Sequence, residues 1–368
     1  RYFIKRRDSM EHDDTTLGYA RSSLLAADRL YRAGEHLRAC RCYGATVRFA
    51  PMFLAAHRSR GSMLSLLEQP HASVVSFNTC LLFNPFDSRS FNGRGRSLRK
   101  MNQLELALRS YDEAIRLEPT FSSPWNNRAV ALDGLARYTE SIASYREALS
   151  LDPGDSVKWF NLGDTLDIVG DYAAALEAYN WALAARPIYP AALNGRAHTL
   201  NSLKRYEDAL ASLEPVLSLD PDSGNSLVHR AFAKLGLGRV AEAREDFERA
   251  VVVLTHAITE RPITALWARY HRARANRGLG RYTLAIEDLS HMFPGSLQHT
   301  RTLIERGVCY LELGKHELAE RDFAVVSAYD GGSVMPSVSR AVAAAKERIR
   351  QRTLAAAASS SSPGSLTQ

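Results

Sequence analysis

Cysteine is scarce in this sequence, with four thiols in 368 residues. That is too few to staple a small secreted fold, and all four read as reduced thiols of an intracellular protein. No apolar run approaches the ~20 residues that a membrane-spanning helix needs, so a chain threaded through a bilayer by helices is excluded. Neither sign of charge dominates: 47 Lys and Arg face 40 Asp and Glu, a net of +7. An excess this small favours acidic partners on average without establishing nucleic-acid binding. Hydrophobic residues at 45% and charged residues at 24% exclude collagen-like, coiled-coil and wholly disordered chains.

Proline is also sparse, at 14 residues, yet Pro51, Pro85, Pro119, Pro153, Pro187 and Pro221 follow one another at intervals of 34. A 34-residue period is that of a helix–turn–helix repeat. With each proline as the thirty-second residue, repeats begin at Ala20, Leu54, Ser88, Ser122, Ser156, Pro190 and Gly224. Two more begin at Leu266 and Thr300 after an eight-residue insertion. The eighth place is always Gly or Ala, from Ala27 and Gly61 to Ala273 and Gly307. The twentieth is always small, from Ala39 and Ser73 to Ala285 and Ala319. Two helices cross closely only where side chains are small, so these places mark a helix–helix contact. The twenty-fourth place is large and apolar, as in Tyr43, Phe77, Tyr111, Tyr145, Tyr179 and Phe247. It is expected to pack between neighbouring repeats.

The helix signals agree. Asp155 and Ser156 precede Trp159, Leu162, Gly163 and Leu166, a stripe at i, i+3, i+4 and i+7. Gly170-Asp171 makes the turn, Tyr172 through Leu183 carry the second helix, and Pro187 stops it. In this phase Trp159, Leu162, Gly163, Ala175, Tyr179, Ala182 and Pro187 resemble the motif of the tetratricopeptide repeat family. The resemblance covers about residues 20–330 in nine repeats. It implies an all-α fold, a right-handed α-α superhelix with a C-terminal capping helix. Three places depart from the pattern: Pro70 stands where an aromatic is usual, the insertion follows Ala250, and Asn276 replaces a large apolar residue.

Residues 1–19 fall outside the repeat, as a linker or the remnant of an Arg-rich targeting segment. The insertion, near 251–265, lengthens a helix running from Val240 to Glu260 by ~12 Å. The added residues are apolar and either cover the adjacent repeat or dock a partner. A capping helix is expected over 334–354, because a solenoid must cover its last apolar face, and a disordered tail over 355–368.

No catalytic constellation is present in the sequence. There is no Walker loop and no HExxH, and Gly93-Arg94-Gly95 lies inside a repeat helix. Cys40 and Cys42 lack the second pair that a zinc site requires. His198, His229 and His271 lie on first helices without ligand spacing. The expectation is a non-enzyme with no cofactor and no metal.

The family resemblance implies that first helices line a concave groove. The places that tend to face it hold Arg21, Arg32, Arg58, Arg89, Arg96, Arg99 and Lys100 early in the chain. Asn92, Asn126, Asn127, Asn161, Asn194 and Asn201 follow, then Trp267, Tyr270, Arg274 and Arg277. A carboxamide both donates and accepts, so such asparagines can clamp the backbone of an extended peptide; they can equally tie neighbouring helices together. Arg89, Arg96, Arg99 and Lys100 form the densest basic patch, suited to carboxylates or phosphates on a partner. Arginine at the seventh place (Arg60, Arg94, Arg128, Arg196, Arg230, Arg272, Arg306) reads as structural. The function expected is a protein-interaction scaffold that holds an extended, acidic segment within a larger assembly. Two alternatives stand beside it, a helical-repeat RNA-binding protein and the regulatory domain of a larger enzyme.

Overall fold

The computed structural model describes residues 18–260, 265–291, 297–328 and 336–360. Among these described residues the chain forms nineteen helices and no strand. The first helices of successive repeats are α1 (18–32), α3 (Leu54–Leu66), α5 (Ser88–Lys100), α7 (Ser122–Gly134), α9 (Ser156–Val169), α11 (Pro190–Ser202), α13 (Gly224–Gly236), α15 (Leu266–Gly278) and α17 (Leu297–Glu312). The second helices are α2 (His36–Phe49), α4 (Pro70–Phe83), α6 (Leu104–Leu117), α8 (Tyr138–Leu151), α10 (Tyr172–Ala185), α12 (Tyr206–Leu219), α14 (Val240–Glu260), α16 (Tyr282–Leu289) and α18 (His316–Ser327). A last helix, α19, runs Pro336–Ser360.

The helix starts follow the sequence period closely. α3, α5, α7, α9, α11, α13 and α15 begin at the residues where the period opens a repeat, while α17 begins three residues early. Asp87, Asp155 and Asp171 cap α5, α9 and α10 by accepting from backbone N–H groups of the first turn. Gly170 ends α9 in the left-handed region, at φ 88°. Pro70 departs from the aromatic pattern without harm: it opens α4, where a missing N–H goes unused. The periodic prolines also act through their carbonyls. The Pro119 and Pro153 oxygens accept from the Trp125 and Trp159 indoles at 3.0 and 2.8 Å, and the Pro51 oxygen lies 2.8 Å from His57 Nε2.

Two expected boundaries shift. The terminal helix continues to Ser360, through 355–360 that composition assigned to a disordered tail, because its alanine run has the highest helix propensity. The other end of the array begins earlier, at residue 18 rather than 20. The expectations for 1–17, 261–264 and 361–368 lie outside the described residues.

The chain divides into two compact units. The N-terminal unit reaches to Leu132 and includes Ser150–Asp152; the C-terminal unit comprises Asp133–Leu149 and the chain from Pro153. Both are built by the same packing rule. At Phe77 in one unit and Tyr179 in the other, the ring at the twenty-fourth place lies fully buried against a glycine of its own first helix and one of the next. Phe77 fills the space a Cβ would take at Gly61 (2.9 Å) and Gly93 (2.3 Å), and Tyr179 does so at Gly163 (2.9 Å) and Gly195 (2.6 Å). The seventh-place arginines tie second helices to first. Arg230, Arg272 and Arg306 each form a two-pronged pair with an aspartate 16 residues on: Asp246, Asp288 and Asp322. Arg94 and Arg196 reach Ser110 and Ser212 at the same offset. In the overlong α14, Leu254 and Ile258 are buried in a cluster with Leu227 and Ala268, so the insertion covers adjacent repeats.

The C-terminal unit closes on itself. Arg301 of α17 donates to Asp164 (2.7 Å) and Asp167 (3.1 Å) of α9, more than 130 residues away. Tyr138 and Thr300 share a hydrogen bond of 2.6 Å, and Ile168, Leu303, Val326 and Val338 form one buried cluster. The capping helix joins in: Arg340 donates to the Gly170 carbonyl at 2.6 Å, and its guanidinium lies 4.6 Å from the centre of the Tyr172 ring.

Candidate binding surfaces

In the N-terminal unit the first helices carry most of the proposed groove. Arg21, Arg32, Arg89 and Arg96 are exposed, and Arg89 and Arg96 share one face of α5, seven residues apart. No carboxylate among the described residues lies within ion-pair distance of either. Other members of the basic set are engaged. Arg58 pairs with the buried Asp87 at 3.0 Å. Burial alone would raise the Asp87 pKa, but the Ser90 hydroxyl and Arg58 outweigh it and hold the carboxyl below its usual value. Lys100 is tied to the Ser65 carbonyl (2.6 Å) and to Glu68 (2.8 Å). Arg99 is half-buried, with no hydrogen-bond partner for its Nε.

The asparagines largely bind one another and the backbone. Asn127 donates to the buried Asn92 at 2.9 Å. Asn194, also buried, donates to the Pro190 carbonyl and accepts from Ser226. Asn201 donates to the His229 carbonyl. Asn126 and Asn161 are half-buried, and neither is free.

Charge is divided unevenly along the chain. Residues 18–132 hold 16 Lys and Arg against 8 Asp and Glu, whereas residues 133–368 hold 27 against 28. The whole positive excess therefore lies on the N-terminal repeats, a division that the total of +7 conceals.

In the C-terminal unit the late groove residues fall in two classes. Trp267 is exposed, whereas Tyr270 and Arg274 are buried at 5% and 4% exposure. Arg274 and Arg277 share Glu305, with N–O distances of 3.3 and 2.7 Å, and both guanidiniums stack on Phe232. Burial raises the pKa of Glu305, but Arg277 and Arg274 more than offset this and hold it below the usual carboxylate range. Beside this cluster the His198, His229 and His271 rings follow one another at centroid spacings of 5.4 and 6.0 Å, the first pair tilted and the second edge-on. Burial presses His198 down to about 4, and His229 and His271 well below their ordinary value. Single-residue reading found the arginines but not this cluster. The signal it lacked is long-range: Asp167, His198, Arg274 and Glu305 come from four different repeats.

The sequence model of the tetratricopeptide repeat family matches residues 92–156, 160–225 and 202–262. These segments are tetratricopeptide repeats. Among solved structures, the pilF protein of Pseudomonas aeruginosa is similar at 14% identity, over 58% of this chain and 96% of that one, with a TM-score of 0.51. A tetratricopeptide repeat protein from Parabacteroides merdae is similar at 19% identity, over 69% and 98%, with a TM-score of 0.45. At 14% identity the likeness to pilF is one of fold alone. No curated protein matches the chain by sequence. Repeats of this family typically serve protein–protein interaction rather than catalysis, and this array is a protein-binding scaffold. No helix among the described residues is long and apolar enough to cross a membrane.

Proposed function

We propose that this repeat protein is an adaptor within a larger assembly, and that the N-terminal unit holds an extended, acidic segment of a protein partner. One observation carries the reading: the chain's positive excess is confined to residues 18–132, and Arg89 and Arg96 stand exposed there on one helix face without a counter-ion among the described residues. Guanidinium groups pair with carboxylates through two parallel hydrogen bonds, so an acidic chain laid along α5 would engage both. The asparagines contribute indirectly in this reading. Bound to one another, as Asn127 is to Asn92, they fix the helices that present the arginines. The four free thiols fit a reducing compartment.

The test is binding of a fluorescent Asp/Glu-rich peptide to the full chain and to the double variant Arg89→Glu, Arg96→Glu. Reversing both charges is expected to weaken binding about ten- to hundredfold. Equal affinity for the two proteins refutes the reading. Binding of single-stranded RNA that weakens steeply with salt, in place of peptide binding, would assign the patch to nucleic acid.

A further inference from the structure

The C-terminal unit contains a cavity of about 530 Å³ that opens to solvent. That volume lies within the ~300–1,000 Å³ typical of small-molecule sites. Its deepest cation is Arg274, only 4% exposed and poorly satisfied. A guanidinium carries five N–H donors. Arg274 Nε has no hydrogen bond, although Glu305 lies 3.3 Å away, and one terminal nitrogen makes a long contact of 3.3 Å to His198 Nδ1. Its faces meet the Phe232 and Tyr270 rings at 5.2 and 5.8 Å, which supply no acceptor. Glu305 is itself divided between Arg274 and Arg277.

The charge around the cavity is unbalanced. Arg274, Arg277, Arg301, Lys204, Arg340 and Arg348 line it against Asp167, Glu305 and Glu312. Asp164 also pairs with Arg301, which leaves two positive charges uncompensated. His198 adds none at neutral pH, since burial holds its pKa at about 4. Lys204, Arg340 and Arg348 are exposed and Arg274 is buried, so the cationic lining runs from the surface inward. The buried Arg274 and the half-buried Arg277 and Arg301 are matched in number by Asp164, Asp167 and Glu305, and Arg348 pairs with Glu312. The excess therefore lies on the exposed Lys204 and Arg340, where an incoming anion would meet it.

We propose that this cavity is a binding site for a small phosphate monoester, whose phosphate accepts from Arg274 and offsets the double positive excess. A phosphate monoester carries a charge of about −1.5 to −2 and three acceptor oxygens, which matches both deficits. Inorganic phosphate carries a similar but somewhat smaller negative charge and would leave much of the cavity unfilled. The site is separate in residues and in chemistry from the acidic-segment surface of the N-terminal unit.

The experiment is calorimetric titration of the full chain, at 150 mM salt, with AMP, glucose 6-phosphate, adenosine and inorganic phosphate as probes. At least one of the two esters is expected to bind at least tenfold more tightly than inorganic phosphate, and adenosine not at all. Lys204→Gln, at an exposed position, should weaken that binding severalfold. Arg274→Lys, which keeps the charge but loses the fork of donors, should weaken it at least tenfold. Arg89→Glu with Arg96→Glu should leave it unchanged. Helicity and melting temperature of each variant are measured alongside; if Arg274→Lys fails to fold, Lys204→Gln alone decides. Absence of binding by both esters up to millimolar concentration overturns the proposal. So does ester binding no tighter than that of inorganic phosphate, or ester binding that Lys204→Gln leaves unaltered.

Discussion

Removal of the Arg301 side chain tests the closure of the C-terminal unit. One Arg301 nitrogen reaches both Asp164 (2.7 Å) and Asp167 (3.1 Å), and the Asp167 side chain is only 2% exposed. Arg301→Ala leaves Asp167 with the Thr199 hydroxyl at 2.8 Å and with His198, whose Nε2 lies 3.5 Å away and is neutral at pH 7. Breaking a buried pair from one side costs ~3–5 kcal/mol because a carboxylate stays behind unpaired. The remaining Thr199 bond places the expected loss at the lower end, about 3 kcal/mol. A double-mutant cycle with Asp164→Ala, whose side chain is 23% exposed, should give a smaller coupling of about 1 kcal/mol. The assay is urea unfolding followed by tryptophan fluorescence in a Trp125→Phe background. That substitution leaves Trp159, Trp181 and Trp267, all in the C-terminal unit, as reporters. A closed unit should unfold as one transition that Arg301→Ala shifts as a whole. A loss below 1 kcal/mol would refute the reasoning, since contacts between neighbouring repeats would then account for the stability without closure.

The C-terminal unit should also be sensitive to acid. His198, His229 and His271 are held below their ordinary pKa, so the unfolded chain binds more protons as pH falls below about 6.5; each can remove up to ~1.4 kcal/mol per pH unit. Buried Asp133, raised to about 7, acts in the opposite sense between pH 4 and 7, its contribution being lost as pH rises. The three histidines outnumber it, so urea midpoints should fall from pH 7 to pH 5, and His229→Gln should flatten the fall; an unchanged midpoint contradicts this. Gly195→Ala places a methyl 2.6 Å from the fully buried Tyr179 ring. Overpacking of ~1–3 kcal/mol should outweigh a helix-propensity gain of ~1 kcal/mol, and a rise in thermal midpoint would show that the ring can move aside.

Much of the fold is legible in the sequence because its determinants are local. The 34-residue proline period locates first helices to the residue in seven repeats, and the large twenty-fourth place marks rings that are indeed buried between helices. The terminal helix runs past its expected end because low complexity alone does not separate an alanine run of high helix propensity from a segment without structure. The candidate site was less legible. Places on a first helix show which side chains it offers, but not what meets them: Lys100 is taken by Glu68, and Asn92 by Asn127.

The sequence by itself determined that this protein is a series of paired helices, where seven of the pairs begin, and where the positive charge lies. Only the tertiary structure decided that α17 and α19 return to α9 and that Arg274 is buried among groups from several other repeats. The physical reason is accumulation. Each hairpin adds a small rotation to the last, and whether the end meets the beginning depends on the sum over several repeats, a quantity that no single 34-residue period contains.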